Sequence, residues 1–360
     1  MRSMGDSDFF LQENGFYNYG YGTLELHPIH VKGNHQSCSL PSKVVKYLGT
    51  YGKILGSFNG FLCCGKLGKN PLLLLNPTTR TYMQVPIPDE SLIGSQLRFG
   101  LIIDSDHNEN TDDYVLLSVV TPHEWNAGFR FNILSPSEMI WTDFATIDFG
   151  GRNMILESSI QVKGVVYLVS DGGLYFEKGS EFFWPYLVSH DMKTHTSKFL
   201  QIPKRARKGS CYSNLVISKW GSRSGSGDTD TICLVGLWRN KFSVWILCSS
   251  TDNPCLYWRS VFHMRIKAMG LREIDQAKVA GYSVVNGRTL IFATEEKVYG
   301  YDLWDGTNGK IEELCSHGFD GADVCFHPFS STLRCPGPDA GNRLKFGTKS
   351  SREVRPSVKV

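Results

Sequence analysis

Short apolar runs alternate along this chain with clusters of Gly, Asn, Asp and Pro. The runs are a few residues long and rich in Val, Ile, Leu, Tyr and Phe, the signature of strands closed by tight turns. On this pattern strands are expected at Lys53–Gly56, Phe61–Cys64, Leu72–Leu75, Leu97–Ile103, Tyr114–Val120, Phe129–Ile133, Ile160–Val162, Val165–Ser170, Tyr186–His190, Thr231–Trp238, Lys241–Leu247, Ala280–Val285, Thr289–Thr294 and Lys297–Leu303. Asn59-Gly60, Lys163-Gly164 and Asn286-Gly287 supply the left-handed backbone that hairpin turns need. Helical periodicity is scarce. Its best stretch, Met264–Lys278, contains Gly270 and reads equally well as a loop.

Many short strands with almost no helix point to a sandwich, a barrel or a propeller. A repeat decides among them. A strand leads to a polar turn, and a return strand carries an aromatic residue inward: Tyr82 after Asn76-Pro77-Thr78-Thr79, Trp141 after Ser135-Pro136-Ser137, Phe199 after Asp191-Met192-Lys193-Thr194, and Trp258 later. Copies recur at roughly 50 to 70 residues, the scale of a propeller blade. The fold class expected is therefore all-β, a kelch-like β-propeller of about six blades. Residues 1–20 are expected as a flexible N-terminal segment, 21–333 as the propeller, and 334–360 as a disordered basic tail with seven basic residues against two acidic.

Composition narrows the function classes. The 360 residues are 41 % hydrophobic and 12 % aromatic, enough for a large core without staples. The balance of 38 basic and 35 acidic residues predicts no broad polyanion-binding surface, so nucleic acid is not an expected partner. No long apolar run suggests a membrane span, and the first twenty residues hold no apolar leader core. Most of the ten cysteines sit inside apolar runs, and no N-x-Ser/Thr acceptor occurs, which fits the cytoplasm or nucleus.

Candidate chemistry is thin. Gly60–Lys66 spells a phosphate-loop pattern, but Leu67 stands where Ser or Thr would hold magnesium and Asn70-Pro71 blocks the helix. His27, His30, His35 and Cys38 cluster, yet their spacing fits no common zinc finger. The acidic stretch Asp104–Asp113 lacks the Gly and Glu of a calcium loop. Cys63-Cys64 lies in a strand and reads as packing, with one thiol in the core and one half-buried. No catalytic residue, metal or cofactor is expected. Arg205, Arg207 and Lys208 in a basic loop, with Trp125, Trp184 and Trp238 near loop positions, are the candidate partner-binding side chains, because Arg and Trp anchor protein interfaces.

The string Ile54-Leu55-Gly56-Ser57-Phe58-Asn59-Gly60-Phe61-Leu62-Cys63, then Leu75-Asn76-Pro77-Thr78-Thr79-Arg80 and Val85-Pro86-Ile87-Pro88, resembles the opening of plant F-box-associated domains. Those read I-x-G-S-C-N-G-L-L-C, W-N-P-S-T-R and L-P-x-P. Asp112-Asp113-Tyr114, Gly164-Val165-Val166-Tyr167 and Cys325–Leu333 follow in matching order, so the resemblance runs over roughly residues 20–333. Gly56, Asn59, Gly60, Asn76, Pro77, Arg80 and Pro86 are its structural motif. Phe58 and Leu75 depart from its Cys and Trp. The resemblance implies a non-catalytic module that recognises a target protein for ubiquitylation. The family's F-box, which docks on a Skp adaptor and cullin, has no match in residues 1–50, so those partners are expected only if an F-box lies outside this chain. Two alternatives stay open: a propeller-fold enzyme such as a sugar hydrolase or oxidase, which needs carboxylates or metal ligands converging at the ring's centre, and a truncated remnant without function.

Overall fold

The chain folds as a six-bladed β-propeller. The structure is a computed structural model that describes residues 8–13, 24–28, 40, 42–58, 60–65, 71–87, 99–104, 115–120, 128–134, 138–173, 176–208, 215–221, 231–249, 255–271, 278–304, 309–319, 321–336 and 343–344. Strands β1 (Asp8–Glu13) and β2 (Leu24–Pro28) come first, followed by helix α1 (Ser42–Tyr51). Five four-stranded antiparallel blades follow. Blade 1 holds β3 (Lys53–Phe58), β4 (Phe61–Gly65), β5 (Leu72–Asn76) and β6 (Thr81–Val85). Blade 2 holds β7 (Phe99–Asp104), β8 (Val115–Val120), β9 (Gly128–Leu134) and β10 (Trp141–Asp148). Blade 3 holds β11 (Met154–Val162), β12 (Val165–Ser170), β13 (Tyr186–Asp191) and β14 (Thr196–Gln201). Blade 4 holds β15 (Val216–Trp220), β16 (Thr231–Trp238), β17 (Lys241–Ser249) and β18 (Leu256–Arg265). Blade 5 holds β19 (Gly281–Val285), β20 (Thr289–Ala293), β21 (Lys297–Asp302) and β22 (Glu312–Ser316).

Blade 6 is assembled from both ends of the chain. The last strand, β23 (Val324–Phe329), pairs with β1, and β1 pairs with β2. The first strand of each blade is innermost, and β3, β7, β11, β15, β19 and β23 contact one another in that order around a closed circle.

The central strands of the blades are buried on both faces, so they read as near-continuous apolar runs, whereas the outer strands β10, β14, β18 and β22 are largely exposed. Blade 1 shows this. Leu62, Cys64, Leu73 and Leu75 face blade 6, while Phe61, Cys63, Leu72 and Leu74 face blade 2. Both Cys63 and Cys64 are fully buried, so the expectation of one half-buried thiol is corrected. Burial raises both thiols above their usual range, Cys64 to about 12, which leaves packing as their role. The other interfaces carry equivalent apolar clusters between blades 2 and 3, 3 and 4, 4 and 5, and 5 and 6. Blades 5 and 6 approach so closely that a Cβ at Gly281 would strike the Val324 carbonyl oxygen.

Two expected boundaries move. Residues 8–13 are not a flexible segment: Phe9, Phe10 and Leu11 are fully buried in the middle strand of blade 6. Contact with the ring also continues past residue 333. Asn76 Nδ2 donates to the Thr332 and Arg334 carbonyls at 2.9 and 2.7 Å, and Arg334 lies over the Phe61 ring. Arg343 bridges to Thr81, and Leu344 is buried against blade 1. Residues 345–360 lie outside the described residues.

Helix α1 was not expected. Its Val44 and Leu48, four apart on one face, pack into the core shared by blades 6 and 1. Among the described residues blade 6 has three strands, and α1 stands in the chain where a fourth strand would lead to the next blade. The expected helix candidate at Met264–Lys278 is instead the end of β18 and a short 3-10 turn, Ile266–Met269, with 272–277 outside the described residues.

Candidate partner-binding face

In an antiparallel four-stranded blade, the link between the second and third strands and the exit of the fourth strand lie at the same end. That end is called the upper face here, and it is where each inner strand begins. In blade 3 it carries the long link from Ser170 to Tyr186, and in blade 4 the turn at Arg239-Asn240. Residues 202–208, which leave β14, and Leu215, which enters β15, lie at this face.

Arg152 fixes the blade 3 link. Its side chain is buried, and Nη1 donates to the carbonyls of Phe182 and Phe183 at 2.9 and 3.3 Å. Nη2 donates to the carbonyls of Asp171 and Gly173 at 2.8 and 2.5 Å and lies 3.5 Å from the Asp171 carboxylate. The guanidinium also stands over Phe176. A buried arginine is tolerable only when it is well partnered, and here both terminal nitrogens find their acceptors in the backbone of the link itself. The loop is therefore held in one shape. Just before β13, Phe183 packs edge-on against Trp184, and Trp184 is 42 % exposed. An exposed aromatic on a rigid support is what an interface anchor requires.

Blade 4 adds charge. Arg239 and Asn240 have φ of 48° and 55°, a two-residue hairpin turn of the primed type. The Arg239 guanidinium lies 5.2 Å from the Trp238 ring centroid, and Trp238 is 37 % exposed. The Asn240 carbonyl accepts from Ile266 N–H and ties the turn to the following 3-10 turn. His263 Nδ1 and Ser243 Oγ are hydrogen-bonded at 2.5 Å. Burial lowers the His263 pKa, and the nearby positive charges of Lys241 and Arg205 lower it further. Arg205, from the blade 3 to blade 4 crossing, thus sits in the same electrostatic neighbourhood as the blade 4 turn.

The expected partner-binding residues divide accordingly. Trp184, Arg205 and Trp238 lie on the upper face of two adjacent blades, and Arg205 is exposed. Arg207 is turned back: Nε donates to the Ile202 carbonyl at 3.1 Å and Nη2 to Gln201 Oε1 at 2.9 Å, so it holds the loop. Trp125 lies outside the described residues, as does the side chain of Lys208. His263, Lys241, Arg239 and Arg265 belong to this region and were not expected. The signal for them is the scarcity of acidic residues from Thr231 to Arg272, where Asp252 is the only carboxylate in the sequence.

The described motif residues lie around blade 1, at or near its lower end except for Pro86, which follows β6 at the upper end. Asn76, fully buried, also accepts from Thr78 N–H through Oδ1 at 2.9 Å, so one side chain shapes the turn and grips the C-terminal strap. Pro77 is in that turn. Gly60 has φ of 82°, and a Cβ there would strike Thr332 of the strap. The Arg80 carbonyl accepts from Leu344 N–H, and the Pro86 carbonyl, at the exit of β6, from Trp141 Nε1. Gly56 lies at a register shift in the inner strand β3, and Asn59 is outside the described residues.

The ring's centre is narrow. Lys219 on β15 lies 4.1 Å from the Phe58 ring centroid on β3, a contact between opposite blades. Nearer the upper end, Lys53, Glu157, Cys325 and His327 come from inner strands of blades 1, 3 and 6. Burial raises Cys325 to about 12, with Glu157 adding to the rise. Burial, and Lys53 after it, lowers His327 to about 4. Among the described residues no three His, Cys, Asp or Glu side chains are placed to hold a metal ion. His27 pairs with Glu25 at 2.8 Å, while His30, His35 and Cys38 lie outside the described residues.

No protein-family model matches the chain, and no curated protein matches it. Solved structures overlap it weakly. An oligogalacturonate lyase in complex with manganese is 10 % identical, over 74 % of this chain and 67 % of that one, with a TM-score of 0.39. The N-terminal domain of Nup159 is 9 % identical over 71 % of this chain and 58 % of that one, with a TM-score of 0.34. The fission yeast SREBP-SCAP binding domains are 13 % identical over 84 % of this chain and 80 % of that one, with a TM-score of 0.34. Overlap of this size carries no function across.

Proposed function

We propose that this chain is a non-catalytic recognition propeller that holds a target protein against the upper face of blades 3 and 4. The observation that carries this reading is the pre-shaped loop under Trp184. Its backbone is fixed by buried Arg152, so the aromatic is presented without an ordering cost at binding. Trp238, half-exposed beside Arg239, is a second anchor of the residue types that dominate interface energetics. The motif likeness to plant F-box-associated domains supports a narrower reading. In it the target is a protein destined for ubiquitylation, and the propeller is the recognition part of a Skp–cullin–F-box receptor whose F-box lies outside this sequence.

Affinity capture from plant cell extract tests the face. The tagged chain is compared with a Trp184→Ala/Trp238→Ala variant and with Lys193→Ala, which alters an exposed turn at the opposite end of blade 3. A set of proteins lost with the tryptophans and kept with Lys193→Ala is expected. An identical set on all three chains overturns the assignment of the face. For the ligase reading, the protein tagged at its native locus should bring down a Skp-type adaptor and a cullin; recovery of neither overturns it.

A further inference from the structure

We infer that the upper end of blade 4 binds an acidic segment of its partner protein; the inference rests on the protein-recognition reading above. Overall charge hides the reason. From Ile202 to Leu271 the chain carries eleven Lys and Arg against three Asp, whereas the rest carries 27 basic and 32 acidic residues. The three, Asp228, Asp230 and Asp252, fall in the sequence between β15 and β16 and between β17 and β18, outside the described residues. Among the described residues of 202–271 there is no carboxylate side chain. Glu273 and Asp275 follow in the sequence, outside the described residues.

The basic side chains are concentrated at the upper end. Lys204 and Arg205 are exposed on the crossing, Arg239 on the turn, and Arg265 and Lys267 at the exit of β18. Lys241 and Arg265 occupy directly opposed register positions on β17 and β18. Two cations so placed repel. Arg205 adds a third charge from the neighbouring crossing, as its effect on His263 shows. A like-charged cluster that works against the fold is relieved by an anion, and Trp238 beside it supplies apolar contact.

The flanks argue for a short protein segment rather than a nucleic acid. On the same face blade 3 presents exposed Glu177 and Glu181, and blade 5 presents exposed Glu295 and Glu296. A phosphate backbone needs a continuous basic track, and these carboxylates interrupt it on both sides. An acidic peptide lying across one blade meets only the basic end.

Fluorescence anisotropy with a labelled Glu-rich peptide carrying one central Phe tests this, against a Lys-rich peptide of equal length and a single-stranded oligonucleotide. The intact chain should bind the Glu-rich peptide, with affinity falling at least about tenfold between roughly 50 and 300 mM salt. Lys241→Glu and Arg265→Glu should each weaken it about tenfold, while Lys193→Glu at the lower end changes it less than about twofold. Lys241→Arg should retain binding, and matching thermal melts confirm that each variant is folded. Equal binding of the Glu-rich and Lys-rich peptides overturns the inference, as does indifference to both reversals. Tighter oligonucleotide binding lost in the same variants also overturns it and assigns a nucleic-acid surface. If the captured proteins depend on Trp184 and Trp238 but survive Lys241→Glu and Arg265→Glu, the recognition face stands and the acidic partner falls.

Discussion

Blade 4 and blade 6 do the same structural job with opposite materials. Blade 4 is one uninterrupted stretch, Val216–Arg265, in which each strand pairs with its neighbour in sequence. Blade 6 joins β23 to β1, with Asp8 opposite Phe329, so its central ladder closes a loop of roughly three hundred residues. By loop-closure entropy that costs about 4 kcal/mol more than closing a tight turn. The additional contacts at the seam stand against that cost: three fully buried apolar residues in β1, helix α1 packed beside β2, and the strap gripped by Asn76. Blade 4 needs no such latch and sets two like charges, Lys241 and Arg265, opposite each other. The seam is built for closure, and blade 4 is open to be used.

The largest test sets the two blades against each other. Phe10→Ala in β1 and Phe242→Ala in β17 each remove a fully buried ring, and each should cost about 3–5 kcal/mol at equilibrium. Kinetics should separate them. Local hairpins form before distant ends meet, so Phe242→Ala should slow refolding, whereas Phe10→Ala should mainly speed unfolding. Equal slowing of refolding by both in stopped-flow denaturant series would mean that the seam forms early.

The seam should also be the acid-sensitive side. His327 is on β23, and burial with Lys53 nearby lowers its pKa to about 4. The folded state therefore resists a proton that the unfolded chain accepts near 6.5. The neutral-side stability is complete above about pH 6.5, drains as pH falls toward about 4, and loses no more from this group below that, about 3 kcal/mol in all. His190 and His263, in blades 3 and 4, shift in the same direction and add to the slope. Denaturant melts of His327→Leu should show a shallower acid slope than the parent; an unchanged slope would remove His327 as the cause.

The same contrast explains what could be read from the sequence. Blade 1 was legible because Phe61–Cys64 and Leu72–Leu75 are apolar on both faces, the first preceded by Asn59-Gly60 and the second followed by Asn76-Pro77, all within a hairpin's reach. Blade 6 was not, because Phe9, Phe10 and Leu11 form too short a run to register, and their partner lies at the other end of the chain. Helix α1 was hidden for another reason. Only Val44 and Leu48 are buried, and Val44, Val45 and Gly49 are poor helix formers, so tertiary packing decides its state. At the candidate site, Trp184, Arg205 and Trp238 could be named by residue type. Arg207 could not be told from Arg205, because only the fold shows that its guanidinium folds back on Gln201 and Ile202. Lys241 and Arg265 stayed unseen because twenty-four positions of sequence separate two side chains that the sheet sets face to face.

Asn76 offers a finer test of the latch. Replacing it with Ala leaves the Thr332 and Arg334 carbonyls without its amide, and the turn amides without its oxygen, at a cost of about 2 kcal/mol. The blade 4 counterpart, Trp238→Ala at a half-exposed turn, should cost less than about 1 kcal/mol. Chemical denaturation of both variants checks the order, and a Trp238 cost equal to that of Asn76 would mean that the blade 4 turn is itself structural.

The smallest effect is the most discriminating, because stability and binding should move in opposite directions. Lys241→Glu converts a repulsive pair with Arg265 into an attractive one and should raise stability by about 0.2–1 kcal/mol. The same change should weaken the acidic peptide about tenfold. A residue kept for folding would show the two falling together. A melting temperature that drops with Lys241→Glu would mean that Lys241 serves the blade rather than a partner.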